Sequence, residues 1–226
     1  MTTILITGAN RGIGLEFVKQ YAADGADIVA CCREPDKATA LKTVKGKVRV
    51  MALDVGDPSS VAALKKEIGD QPLDIVINNA GVSGPRGAKS VAFDIEGWLN
   101  VFLVNSIAPY MVAEALKQNL LKGKDKKLVT ITSQLGSIAK DAGGFQPYSA
   151  TKAAVNSLMH SLSKTWASDG ISVGIFHPGW VQTDMGGSGA PTTPQQSVTG
   201  LRARIAELNM KNSGTYRDFQ NKELPW

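Results

Sequence analysis

The sequence predicts an α/β protein, a doubly wound parallel sheet of about seven strands with helices on both faces. Three observations predict it. Short apolar runs alternate with longer segments of helical periodicity from one end of the chain to the other. A glycine-rich turn, Gly8 to Gly14, separates the first apolar run from the first helical segment. The hydrophobic share of 43% over 226 residues suffices for a sizeable core, and no linker interrupts it, so one domain over 1–226 is expected.

Each element has its own signal. Residues 2–7 (TTILIT) read as a strand, and 12–25 as a helix with Gly25 just past its end. Residues 26–32 form a second strand, and 35–44 a helix with Pro35 near its start. A third strand covers 47–54. The helix at 57–69 opens with Asp57 as N-cap and Pro58 in the first helical position. The fourth strand and its turn cover 73–81. A long helix covers 97–121, with Pro109 bending it or marking an irregular turn. Then come a strand at 127–133, a long helix at 147–170 and a strand at 171–179. A loop rich in Gly, Pro and Thr fills 183–194, followed by a helix at 196–211 and a short strand at 214–219. A β-α-β-α rhythm with right-handed crossovers gives the doubly wound sheet.

Charge and cysteine usage narrow the function classes. The formal net charge is +5, and the lysine-rich runs 41–49 and 121–127 read as solvated loop edges. No aromatic residues interleave with them, which argues against a nucleic-acid surface. Cys31 and Cys32 are adjacent, so in a strand they point to opposite faces and do not bridge. No CxxC or His/Cys cluster offers a metal site, and a reducing, cytoplasmic compartment is expected. No run reaches eighteen apolar residues and no leader pattern opens the sequence, so neither a membrane span nor a signal peptide is expected.

In a doubly wound sheet, ligands bind beyond the carboxyl ends of the strands, beside the first strand. The turn Gly8-x-x-x-Gly12-x-Gly14 falls there. Gly8 suits a tight positive-φ turn, Gly12 admits close backbone approach, and Gly14 lets helix and strand pack closely. The helix N-terminus that follows offers free N–H groups to a phosphate.

Further motifs follow in order: Asp54-Val55 after the third strand, Asn78-Asn79-Ala80-Gly81 after the fourth, and Asn105 in the long helix. Ser133 ends the fifth strand, Tyr148-Ser-Ala-Thr-Lys152 opens the next helix, and HPGWVQT (177–183) follows the sixth strand. With Thr7 to Gly14, this whole-chain series resembles the short-chain dehydrogenase/reductase family, whose fold is Rossmann-type. The ending GTYRDFQNKELPW makes it most similar to the small carbonyl reductases of the Sniffer and C-factor type. The fifteen positions between Ser133 and Tyr148 are slightly long for the family.

The resemblance implies a hydride transfer between NADP(H) and a carbonyl or alcohol substrate, a small aldehyde or ketone. Tyr148 would be the general acid. Its phenol has an ordinary pKa of about 10, and a neighbouring Lys152 ammonium with the positive nicotinamide ring should lower it toward phenolate. Lys152 would also bind the nicotinamide ribose, Ser133 the substrate oxygen, and Asn105 a water joining Lys152 to solvent. Asn10, Arg11, Ile13 and the three glycines would line the cofactor. Asp54 would accept from the adenine amine, with Val55 on the ring. Asn79, Ala80 and Gly81 would lie near the adenine-side ribose, while Asn78 stabilises its strand. Pro178, Gly179, Val181 and Thr183 would flank the nicotinamide and its phosphate.

Where a carboxylate would select NAD, the chain has Cys32 and then Arg33. Arg33 and Arg11 together suit the 2′-phosphate of NADP. His160, His177, Trp98, Trp166 and Trp226 read as structural or interfacial. Gln134, Phe145, Trp180 and Met185, in 134–146 and 183–194, are candidate pocket walls. The resemblance also implies a homodimer or homotetramer paired through 97–121 and 147–170. An NADP-binding sensor without turnover is the competing reading, disfavoured because Asn105, Ser133, Tyr148 and Lys152 are all present. A sugar-nucleotide epimerase would need a longer chain after the sixth strand.

Overall fold

A computed structural model describes residues 1–84, 94–140 and 143–226. Seven strands form one parallel sheet: β1 (Thr3–Thr7), β2 (Asp27–Cys32), β3 (Lys47–Ala52), β4 (Ile75–Asn78), β5 (Lys127–Ile131), β6 (Ser172–His177) and β7 (Tyr216–Asp218). Their order is β3-β2-β1-β4-β5-β6-β7, so the chain reverses its direction of travel between β1 and β4. The register pairs Ile4 with Ile28 on one side and with Ile75 on the other.

Side-chain alternation splits the apolar residues of the strands into two layers. One face of β1 and β2, with Leu5, Val29 and Cys31, meets Val61, Leu64, Val112, Leu116, Val155 and Met159. Those residues come from α3 (Pro58–Ile68), α5 (Ala108–Lys122) and α6 (Tyr148–Thr165). The other face, with Ile4, Ile6, Ile28, Ala30 and Cys32, meets Phe17, Val18, Val198 and Leu201. These belong to α1 (Gly12–Ala23) and α7 (Pro194–Glu207). The two free cysteines thus lie in different layers, as their adjacency predicts.

Several boundaries differ from the sequence expectation. The segment 35–44 is a 3-10 turn, Pro35–Lys37, and a four-residue helix α2, Thr39–Lys42, broken at Ala38 where ψ is 57°. The long helix runs from α4 (Ile95–Phe102) through a π turn, Leu103–Ile107, into α5; the irregularity falls just before Pro109, whose ring cannot continue regular bonding to the preceding turn. Its most apolar stretch has a mean hydropathy of 1.4, enough for a membrane span by composition, but the helix as a whole buries Val101, Val112, Leu116 and Leu120 in the core here. The helix expected over 147–170 ends at Thr165 in a 3-10 turn, Ala167–Asp169. The helix expected over 196–211 is α7; it starts early because Thr193 and Gln196 form a capping box. Asp57 caps α3 as expected, accepting from Ser59 N.

Candidate active site

The glycine turn stands where β1 and β4 end. Thr7 Oγ1 accepts from the N–H groups of Asn79 and Ala80, both at 3.0 Å, tying the two strand ends together. Asn79 Nδ2 donates to the carbonyls of Thr7 and Gly8 at 3.0 and 3.1 Å. Gly8 adopts φ +62°, and a Cβ on Gly14 would stand 2.2 Å from Gly8 O, so neither position admits a side chain without displacing backbone. Gly12 sits against Thr183 of the loop after β6.

Helices α3, α4 and α7 carry side-chain caps from Asp57, Asp94 and Thr193. Helix α1 carries none, has no acid in its first turn, and has Arg11 as N-cap. Free N–H groups, the helix dipole and a glycine cradle that a Cβ would fill are the donor set a dinucleotide pyrophosphate needs, so these residues fit such a cofactor. Ile13 packs on the apolar layer behind the turn, and Asn10 is exposed.

At the mouth of the turn, Arg11 Nη1 pairs with Asp184 on the loop after β6 at 2.9 Å, an exposed ion pair. Arg33 follows β2 as an exposed residue. Asp54 Oδ1 accepts from Gly56 N at 3.0 Å, while Val55 leans on the core. Asn78 Nδ2 donates to Pro109 O at 2.9 Å, the strand-stabilising role expected of it.

Beyond β5, Ser133 caps a short 3-10 turn, Gln134–Gly136, its Oγ accepting from Leu135 N at 3.2 Å. Tyr148 opens α6 half-buried and shares a hydrogen bond with the Ser133 side chain. Lys152, one turn on, is buried; its ammonium lies 5.6 Å from the Tyr148 ring centre and donates to Ile131 O at 3.0 Å. The fold therefore brings Ser133, Tyr148 and Lys152 together.

The expected electrostatics are reversed. Loss of water pushes the Tyr148 phenol up to about 12, and the Ser133 hydrogen bond only pulls against that rise. The same loss pushes the Lys152 ammonium down to about 8. In the protein alone, desolvation outweighs any help the ammonium gives the phenolate.

Asn105 lies in the π turn. Its Oδ1 accepts from Val82 N, and its Nδ2 donates to Val82 O, both at 2.9 Å, and to Thr151 Oγ1 at 3.1 Å. The side-chain amide, expected to anchor a water, is thus committed to protein partners. Thr151, which sequence reasoning passed over inside the Tyr148–Lys152 motif, links Asn105 to Tyr148 by donating to Tyr148 O at 2.7 Å. Tyr216 was also missed: its hydroxyl donates to Ser133 O from 83 residues away.

After β6, Pro178 O accepts from Ser197 Oγ at 2.6 Å, and Gly179 has φ +87°. Val181 bridges to Thr192, and Thr183 Oγ1 accepts from Gly186 N at 3.1 Å, so Val181 and Thr183 anchor the loop that faces Gly12. The histidines are structural as expected. His160 Nδ1 meets Gly214 O at 3.0 Å, and burial lowers His177 to about 4. Trp166 is in the core. The wall candidates Gln134, Phe145, Trp180 and Met185 are all exposed; within 134–146, residues 141–142 lie outside the described residues.

The short chain dehydrogenase family model matches residues 2–193. C-signal of Myxococcus xanthus is 38% identical over 156 residues, covering 69% of this chain and 93% of its own. The NADPH-bound carbonyl reductase from chicken fatty liver superposes with a TM-score of 0.90 at 29% identity, over 100% of this chain and 99% of that one. The carbonyl reductase Sniffer of D. melanogaster gives 0.88 at 28%, over 100% of both chains. Sheet order, glycine turn and sequence therefore agree that the chain belongs to the short-chain dehydrogenase family of oxidoreductases, beside C-signal and the Sniffer-type carbonyl reductases.

Proposed function

We propose that the protein is an NADP(H)-dependent carbonyl reductase acting on a small aldehyde or ketone, with Tyr148 as proton donor. The observation that carries this reading is the half-buried Tyr148 phenol set beside Ser133 and one helical turn from the buried Lys152, whose ammonium lies 5.6 Å from its ring centre. The bound nicotinamide would supply the hydride. The chain supplies the rest: Ser133 Oγ donates to the substrate oxygen, Tyr148 Oη passes its proton to that oxygen, and Lys152 holds positive charge beside the phenol as it loses the proton. Asn105 acts through Thr151, fixing the first turn of α6 against the Val82 backbone.

The choice of NADP(H) rests on Cys32 and Arg33 standing where a carboxylate would repel a 2′-phosphate, and is supported by the NADPH in the chicken enzyme. The ratio of kcat/KM for NADPH over NADH, measured with one aldehyde, tests it. Arg33→Asp loses a charge-assisted bond of roughly 1.5–3 kcal/mol and adds repulsion, so the ratio should fall by about a hundredfold or more. A wild type that prefers NADH would contradict the reading.

The cytoplasm is the proposed location, as two unpaired buried cysteines suit a reducing compartment; a fluorescent fusion found outside it would oppose this. Exposed Ile95, Leu99 and Ile107 on α4 and the adjoining π turn support pairing of two copies through this helix, as a dimer or within a tetramer. Light scattering that gave only the 23.9 kDa chain mass would oppose that.

A further inference from the structure

We propose that Tyr216 is a positioning residue for this reaction, its hydroxyl holding the Ser133 backbone so that the Ser133 side chain meets Tyr148. The inference rests on the role given to Ser133 above.

Tyr216 sits on β7 opposite Ile175 of β6 and is 1% exposed. Its Oη donates to Ser133 O, which also accepts from Gly136 N at 2.9 Å. The 3-10 turn alone would satisfy that carbonyl. The phenol is a second, buried donor aimed at the residue whose side chain stands beside the Tyr148 phenol. Burial raises its pKa most, a hydrogen bond with Asn156 pulls against that rise, and charge on Tyr148 would add to it, so Tyr216 stays a donor.

The segment around Tyr216 grips the far end of the same loop. Trp226 O accepts from Ala139 N at 3.1 Å. The Trp226 ring stacks on Tyr216 at 5.3 Å, and His160 meets it edge-on at 5.2 Å. Leu224 N donates to Tyr216 O at 2.9 Å, and Arg217 pairs with Glu223 at 3.2 Å, which folds 216–226 back on itself. Residues 133–139 are thus bracketed at both ends by one hairpin. From the α6 side, Asn156 accepts from Thr132 Oγ1 at 2.6 Å. A displacement of about 1 Å in a reacting group can cost a hundredfold in rate, so a bond that fixes Ser133 acts on turnover rather than on cofactor binding.

The test uses the full chain with 4-nitrobenzaldehyde and NADPH, comparing Tyr216→Phe, Ser133→Ala and the double variant. Tyr216→Phe keeps the ring stack and removes the donor. It should lower kcat about tenfold with the KM for NADPH within about twofold, and add under about twofold in the Ser133→Ala background. The basic limb of its kcat profile should move to higher pH, because a loosened Ser133 no longer pulls the Tyr148 pKa down; a purely structural loss would leave that limb in place.

A wild-type kcat in Tyr216→Phe, alongside a crippled Ser133→Ala, overturns the inference and leaves the reductase reading standing. So does a Tyr216→Phe loss that persists in full without Ser133. Full activity in Ser133→Ala removes the role of Ser133 and this inference with it. If Tyr216→Phe fails to fold, Trp226→Ala carries the same test: a kcat loss of about threefold that vanishes in the Ser133→Ala background supports the inference, and an unchanged kcat overturns it.

Discussion

At the turn after β1, each placement is made on backbone at close quarters: the Thr7 and Asn79 side chains bond backbone groups of the facing strand end, and Gly14 leaves no room for a methyl group. At the loops after β5 and β6, groups from the C-terminal segment and an ion pair across the site do the placing. The Tyr216 hydroxyl reaches Ser133 O, the Trp226 carbonyl takes the Ala139 N–H, and Asp184 reaches back to Arg11. This second region also leaves Ser137 Oγ and His177 Nδ1 buried without a partner among the described residues, whereas no buried side-chain atom of the glycine turn is so placed. The difference teaches that a half built to hold an invariant ligand part can be rigid in its backbone. The half that meets the substrate is propped from outside and can vary without disturbing the first.

The largest effect that would break this contrast is expected at Gly14. A Cβ there would be 2.2 Å from Gly8 O, so Gly14→Ala should cost about 3 kcal/mol or more in urea unfolding and abolish NADPH binding. Near-native stability with intact binding would mean the cradle is not rigid.

The pH dependence of stability comes next. His177 is held near 4 when folded, against an ordinary 6.5, so the unfolded chain binds the extra proton. Stability should therefore fall as pH drops from 6.5 to 4, by up to about 3 kcal/mol, and be unaffected by this residue above 6.5. Urea titrations of wild type and His177→Gln across that window check it; an equal slope in both would assign the loss elsewhere.

The smallest effect is expected at Gly189, on the loop after β6, where a Cβ meets nothing within 4 Å and no left-handed φ is required. Gly189→Ala should change stability by no more than about 0.5 kcal/mol and leave NADPH binding intact. A large loss would show that this loop is as constrained as the glycine turn.

The same contrast explains what the sequence revealed. Gly8 and Gly14 announce themselves because a backbone requirement forces the residue type. Tyr148 and Lys152 are legible because one helical turn separates them. The doubly wound parallel sheet followed from rhythm and the irregular turn from Pro109, but the break at Ala38 did not. The Tyr216–Ser133 and Arg11–Asp184 contacts span 83 and 173 residues, and no local pattern encodes them. The raised phenol of Tyr148 is likewise a product of burial, which a motif does not carry.

The most direct measurement is single-turnover reduction of 4-nitrobenzaldehyde by NADPH in wild type and Tyr148→Phe, with NADPH affinity followed separately by fluorescence. Phenylalanine keeps the ring beside Lys152 and removes the hydroxyl that carries the proton. The account predicts a rate lower by about 10²–10⁴-fold with NADPH affinity within about twofold. A Tyr148→Phe variant that reduces the aldehyde at the wild-type rate would contradict it.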